Sequence, residues 1–426
     1  MISKVFDFIK RPTSRDVIVN TIGNYLNVVF TAFFALVLVR ILDPSQYGVL
    51  SVLLGIAYVL ANILDFGTTA TIYSYLPPLY NQKSEDLYKF IKSTFFYQSI
   101  FSVVVITLLF IFFPYMDKVF FKTGAPLSDL YLTSISVLFF IWQNFISNCM
   151  FAAKHFMKAN IYNNASNLIK TLIILYLMFT HNVTVSSVIF VFGILGPLIF
   201  FLLLFIEKRE LVYILYKSKI DKEEFRFKYT LTYFIGAQFL NLGLRMDLFL
   251  LSYFRSKAEV GFYGLSQKII LTIITTIISI TQVLSPAFSN IKSKREVISQ
   301  MKTGFLYLLI PSSLFLLLYL TPTWVFTLFF TDTFAQTARI TKALSLSFII
   351  NALSNLPLLF LLYTVKKPRY ILVANIAFFI VLTGMCYYLI PQKGVMGPPI
   401  AVAVAFIVNT VILTIAAFYE YHRMED

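Results

Sequence analysis

The chain has 426 residues, is 58% hydrophobic and 13% charged, and carries a formal net charge of +15. A water-soluble fold of that length does not bury so much apolar surface, so the composition excludes the ordinary soluble classes and puts the chain in a membrane. The positive balance does not point to nucleic acid, because Lys and Arg concentrate in the N-terminal segment and in alternate connections after it, as membrane topology dictates.

Residues 1–16 place Ile2, Val5, Phe6 and Ile9 on one helical face with Lys4, Lys10, Arg11 and Arg15 nearby, which predicts a short helix lying in the membrane interface. The segment does not read as a cleavable leader, since the apolar run after it is a full span and no small-residue cleavage site follows. Twelve spans are predicted, at 17–42, 47–76, 90–114, 127–153, 159–180, 183–206, 229–254, 260–290, 303–330, 338–365, 370–390 and 395–421. Each is long enough to cross about 30 Å of hydrocarbon as a helix. The runs are continuous and do not alternate, so they are helices and not barrel strands. The fold class expected is therefore an all-α integral membrane protein. The most charged connection, 207–228 with seven Lys and Arg, divides an N-lobe (17–206, spans 1–6) from a C-lobe (229–426, spans 7–12). The basic asymmetry puts both termini in the cytoplasm.

A faint repeat joins the halves. Ile22-Gly23 and Ile235-Gly236 lie 213 positions apart, as do Gly48 and Gly261, and 213 is half the chain. An even number of spans per half makes such a repeat parallel, with a cleft expected between lobes.

Several spans contain charge, which is costly in hydrocarbon and usually marks a pathway or a pair. At about 1.5 Å per residue, Lys268 lies roughly 12 Å, Arg245 roughly 13 Å and Lys170 roughly 16 Å from the ends of their spans. Asp65 is well inside span 2, and Asp247 is closer to a surface. Arg245 and Asp247 are separated by about 200° around their helix, so Asp247 is not expected to neutralise Arg245. For the two aspartates an interhelix pair with a cation is the bland alternative to an ion-coupling role. Arg40, Arg339 and Lys342 lie near span ends and are expected to snorkel.

Neutral polar residues recur at steps of three or four. Span 1 has Asn20, Asn24, Asn27 and Thr31, and span 2 has Tyr58, Asn62, Asp65 and Thr69. Span 5 has Asn160, Asn163, Asn164, Asn167, Lys170 and Thr171, and span 7 has Gln238, Asn241 and Arg245. Span 8 has Lys268, Thr272, Thr275, Ser279 and Gln282, and span 10 has Ser347, Asn351, Ser354 and Asn355. Each set forms one helix face. Such faces line a hydrated lumen or hydrogen-bond between helices. The lumen reading makes Asn24, Asn27, Asn62, Asn241 and Thr272 substrate contacts beside Arg245, Lys268 and Lys170, with amides and hydroxyls for sugars and cations for phosphates. Pro197, Pro286, Pro311 and Pro357 fall inside spans and are expected to kink them.

No nucleotide-binding phosphate loop, HExxH, GxSxG or CxxC motif is present, and the outer connections are short. His155, His181 and His422 are scattered, and Cys149 and Cys386 have no ligand spacing, so neither a metal site nor a cofactor is expected. The expectation is a transporter, not an enzyme, and not one driven directly by ATP.

The R-x-D of span 7 followed by EVGFYGLSQKI, the VRILDPSQYGVLSVL junction with LDFG at 64–67, and LSPAFSNI after span 8 resemble the oligosaccharide-lipid flippases of polysaccharide biosynthesis. These belong to the multidrug/oligosaccharidyl-lipid/polysaccharide exporter superfamily. The resemblance implies two six-helix lobes around a central cavity, MATE-like, in a bacterial inner membrane. It implies a polyprenyl-pyrophosphate-linked oligosaccharide as substrate, for O-antigen or another surface polysaccharide, with a polymerase and glycosyltransferases as pathway partners. Asp65, Arg245, Asp247 and Lys268 sit on the matching segments, and Lys170 does not. Coupling to H+ or Na+ at Asp65 or Asp247 is expected. A cation-coupled drug or metabolite antiporter of the same fold is the alternative. Lipid II flippases usually have two further C-terminal spans, which argues against that branch.

Overall fold

A computed structural model describes residues 12–42, 44–82, 86–121, 123–255, 257–330 and 335–424. The interfacial helix expected at 1–16 lies outside the described residues as far as residue 11, as do the side chains of Thr31 and Arg40.

The described residues are helical almost throughout and form two compact units, residues 1–227 and 228–426. The first unit contains α1 (Pro12–Ile41), α2 (Pro44–Ile63), α3 (Thr68–Asn81), α4 (Asp86–Met116), α5 (Leu127–Ala152), α6 (Phe156–Phe179), α7 (Val185–Phe190) and α8 (Gly196–Lys217). The second contains α9 (Phe227–Phe254, its first residue still in the first unit), α10 (Lys257–Ser289), α11 (Lys294–Leu320), α12 (Thr323–Phe330), α13 (Ala335–Leu359), α14 (Arg369–Lys393) and α15 (Gly397–Arg423). Taking α2 with α3 and α7 with α8 as broken spans, and setting aside the eight-residue α12, gives six long helices or broken pairs per unit and twelve in all. The asparagine-rich α6 packs its amides against α1, which satisfies them within the unit.

Each unit has its own core. In the first, Phe34, Leu38, Leu53, Phe113, Ile174 and Phe192 cluster. In the second, Tyr263, Phe315, Phe378, Leu382 and Phe406 do so. Many large apolar side chains face outward instead, among them Phe179 at 77% and Tyr253 at 80% exposure. That surface suits hydrocarbon as its solvent, with hydrogen bonds closed inside each helix. Buried Thr133, Ser134, Ser312 and Ser345 donate back to carbonyls four residues earlier, which satisfies their hydroxyls without water.

Three expected spans are not simple rods. Span 2 bends by 49° between α2 and α3. The break is made by Phe66 (φ 53°) and Gly67 (φ 78°), both left-handed. Span 9 ends at Leu320, and the residues after Pro322 form the separate helix α12. Span 6 passes through a π segment, Val191–Leu195, between α7 and α8. Other π segments lie at Asp117–Phe121 and Phe360–Thr364. Each lies within three residues of a proline (Pro114, Pro197 or Pro357), where the missing N–H and the ring clash make the wider turn favourable.

The 207–228 connection is largely helical. Helix α8 runs to Lys217, kinked at Lys208, and a single 3-10 turn covers Glu223–Phe225. Lys92 donates to the carbonyls of Tyr216 (2.5 Å) and Ser218 (2.6 Å) at the end of α8, where backbone acceptors lack helical partners. Phe225 is buried against Tyr97, 5.3 Å between ring centroids.

The repeat seen in the sequence has a structural counterpart. Gly23 on α1 accepts a hydrogen bond at its carbonyl from Asn164 of α6 (3.2 Å), and Gly236 on α9 accepts one from Asn375 of α14 (3.0 Å). Both contacts join the first and fifth spans of their unit. A Cβ on Gly23 would lie 2.3 Å from Asn160, and one on Gly236 would lie 3.0 Å from the Leu372 backbone. Glycine is what lets the helices approach closely enough to bond.

Candidate functional site

The polar faces of α1 and α6 meet each other. Asn160 donates to Asn20 (3.1 Å), Asn164 to the Gly23 carbonyl and Asn167 to Asn27 (2.7 Å). Asn20, Asn160 and Asn167 are buried. This is interhelix hydrogen bonding, the alternative to a lumen, and it accounts for most of the first and fifth polar stripes. Asn27 stays exposed on its other side, and Asn24 is half-buried.

Lys170 continues the α6 stripe but joins no ion pair or hydrogen bond among the described residues. Its stem packs on Gly196, where an added Cβ would lie 2.7 Å from Cδ, and its ammonium lies 5.4 Å from the Phe192 ring centroid. Both contacts are to the irregular sixth span. An aromatic face offsets part of the desolvation of the cation.

Asp65 sits at the α2–α3 break. Its carboxylate accepts from the Thr68 hydroxyl (2.8 Å), the Thr69 hydroxyl (2.9 Å) and the Thr69 N–H (3.2 Å). It therefore caps the start of α3, where free N–H groups and the helix dipole favour an anion. The network extends from Thr69 to Asn148 (2.9 Å) on α5. Asn62, one turn earlier, is exposed.

In the second unit Asp247 is 2% exposed. One carboxylate oxygen accepts from Tyr263 (2.5 Å) and Gln267 (2.9 Å) of α10, and the other from the Leu248 N–H (2.6 Å). Neither aspartate forms an ion pair with a cation among the described residues, so the bland alternative of an interhelix pair is not what holds them; neutral donors do. Sequence reasoning missed Tyr263 and Gln267. Their signal was the i, i+4 spacing on α10, which puts both on the face opposite α9.

Arg245 is exposed while Asp247 is buried, as the helical angle between them requires. Lys268 and Thr272 are also exposed, and Thr272 donates to the Lys268 carbonyl (3.2 Å). Asn241 precedes Arg245 by one turn on the same exposed face. Neither the Arg245 nor the Lys268 side chain makes a hydrogen bond or ion pair among the described residues. Arg245 is close enough to Asp247 for its charge to act on that carboxylate, without a direct ion pair. In the tenth span, Ser347 instead donates to the Pro399 carbonyl (3.1 Å), and Ser354 and Asn355 bond back to Asn351. Among the described residues no cluster of His, Cys, Asp and Glu could hold a metal.

Residues 13–292 match the family described as polysaccharide biosynthesis protein. Solved structures share the fold. An outward-facing multidrug resistance MATE family transporter of the MOP superfamily is 10% identical, with 98% of each chain covered and a TM-score of 0.78. A MOP superfamily transporter from Pyrococcus furiosus, described by a reversed polarity of its binding pocket, is 10% identical over 98% of each chain, with a TM-score of 0.75. A MATE structure in complex with MaD3S is 12% identical over 98% of each chain, also with a TM-score of 0.75. No curated protein sequence matches the chain.

Proposed function

Because this chain belongs to the polysaccharide biosynthesis protein family, we propose that it is a flippase for a polyprenyl-pyrophosphate-linked oligosaccharide, working by alternating access without ATP hydrolysis. The observation that carries the reading is the pair of exposed, unpaired cations, Arg245 and Lys268, on otherwise apolar helices. A doubly charged pyrophosphate is the group they suit, Arg through its fork and Lys as a point charge. Asn241 and Thr272, beside them, supply donors and acceptors for sugar hydroxyls, as do Asn24, Asn27 and Asn62 in the first unit. Lys170 is a further phosphate contact. The membrane is the bacterial inner membrane, both termini are cytoplasmic, and a polymerase and glycosyltransferases act in the same pathway.

The test is flipping of a fluorescent lipid-linked oligosaccharide in proteoliposomes. Arg245→Ala and Lys268→Ala should each slow it at least tenfold, about 1.4 kcal/mol of lost stabilisation. Unchanged rates in correctly inserted protein would reject the cationic site.

Asp247 favours a coupling role over Asp65, because Asp65 is committed to capping α3. Binding H+ or Na+ at Asp247 would change its bonds to Tyr263 and Gln267. The same buried carboxylate supports the second reading, a cation-coupled antiporter of drugs or metabolites. Dye efflux that depends on Asp247, with lipid-linked oligosaccharide left unmoved, would favour the antiporter.

A further inference from the structure

The two units share a second equivalence, at the end where basic residues gather. In the first unit, Lys158 and Tyr162 near the start of α6 both donate to Glu207 of α8, and the Lys208 ammonium lies 3.8 Å from the same carboxylate. In the second, Lys367 (2.6 Å) and Tyr370 (2.5 Å) at the start of α14 both donate to Glu420 near the end of α15. Glu207 and Glu420 lie 213 positions apart, the offset of Gly23 and Gly236. The turn before each clamp is also repeated, through the left-handed lysines Lys154 (φ 62°) and Lys366 (φ 57°). One carboxylate thus binds a lysine and a tyrosine from the beginning of the fifth span in each unit.

Charge around each clamp is in excess. Lys367 and Arg423 both act on Glu420, with Arg369 over the ring of Tyr370, which also bonds that carboxylate, and Arg423 over the Tyr419 ring. Lys158 and Lys208 both act on Glu207, and Lys154 in the preceding turn faces Asp16. Lys158 and Lys367 remain 45% and 37% exposed despite their partners, and each ammonium has three protons to donate. His155, bonded to Tyr80, is held below the usual imidazole range by burial and then by the Lys208 and Lys158 charges.

The surroundings specify the kind of anion. Phe205 and Ile206 immediately precede Glu207 and are 50% and 70% exposed, and Phe418 and Tyr419 immediately precede Glu420 at 68% and 52%. An excess of cations directly beside an outward apolar pair suits a phosphate that carries acyl chains, at the boundary between headgroups and hydrocarbon. In the second unit a cleft of about 260 Å³ opens there, lined by Thr364, Val365, Lys367, Glu420, Arg423 and Met424.

We propose that the Glu207 and Glu420 clamps are equivalent docking sites, one per unit, for the phosphate of an anionic phospholipid. The glutamates orient the site, and the surplus cations bind. This inference does not depend on the transported substrate. Native mass spectrometry of the full chain, with phosphatidylglycerol against phosphatidylcholine, tests it. Two phosphatidylglycerol molecules should be retained in preference to phosphatidylcholine. Lys158→Gln with Lys208→Gln should remove one, and Lys367→Gln with Arg423→Gln the other. Glu207→Gln and Glu420→Gln keep a hydrogen-bond acceptor while removing a competing anion, so they should raise phosphatidylglycerol affinity about threefold. Equal retention of phosphatidylcholine, or an unchanged lipid count in the lysine and arginine variants, would overturn the proposal. So would loss of lipid in the glutamine variants of the glutamates, which marks the clamps as structural only.

Discussion

The two units solve the same packing problem with the same contact but leave different chemistry outside it. In both, the first span presents a glycine carbonyl to an asparagine on the fifth. The first unit continues that contact into a ladder of asparagines, and its lone deep cation, Lys170, is folded back onto Phe192 and Gly196. The second buries its aspartate beneath Tyr263 and Gln267 and leaves Arg245 and Lys268 outward. Interhelix polar bonds thus hold both units, and the exposed deep cations lie in the second.

The sharpest way to break this comparison is to remove the buried acid. Asp247→Ala should cost about 2–4 kcal/mol in the second unit, because Tyr263 and Gln267 then lose a buried acceptor. Asp247→Asn, which keeps an acceptor, should cost much less. Thermal melting in detergent reads the difference, and equal losses would show that charge and not hydrogen bonding is what matters. Next in size, Gly23→Val should cost about 1–3 kcal/mol, since its side chain collides with Asn160. A melting temperature like that of the unsubstituted protein would deny the close α1–α6 approach.

Asn167→Ala should cost about 0.6 kcal/mol, with an upper bound near 1.7, the scale of interhelix bonds in membranes. Asn241→Ala on the exposed face of α9 should leave stability unchanged. Lys170→Met tests the odd member of the first unit. It should be neutral or stabilising by up to about 1 kcal/mol, as a half-buried cation without an ion pair among the described residues is replaced by an apolar side chain. Slower flipping with unimpaired stability would give Lys170 a transport role, and unchanged flipping would leave it none.

The smallest effect is electrostatic. Bonds from Lys158 and Tyr162 hold the Glu207 carboxyl below the usual glutamate range. A depressed carboxyl adds stability above its unfolded value, and this is lost as pH falls through the folded one. The melting temperature should therefore fall as pH drops below about 4.3, the ordinary glutamate value, and Glu207→Gln should make that slope shallower. Because Glu207 is partly exposed, the change is small.

Much of the helical layout was legible in the sequence. Apolar runs of membrane length must close their hydrogen bonds internally, so most runs became helices with ends displaced by a few residues, while the ninth, expected at 303–330, is a helix over Lys294–Leu320 followed by a separate short one. The angle between Arg245 and Asp247 was equally legible, because one helix turns by about 100° per residue whatever surrounds it. The fate of the polar stripes was not. Asn20 and Asn62 have the same spacing to their neighbours, yet one is buried against α6 and the other is exposed. Periodicity says which residues share a face, and it does not say what the face meets.

The sequence by itself determined the class, most of the spans and the faint 213-residue repeat. Only the tertiary structure decided that Asp65 caps a broken helix, that Asp247 rests on Tyr263 and Gln267, and that Glu207 and Glu420 are counterparts. The physical reason is range. Hydrophobic length and helical angle are local properties, carried within about twenty residues. A hydrogen-bond partner for a carboxylate in an apolar medium comes from wherever packing brings a donor, and that is fixed only when the whole unit folds.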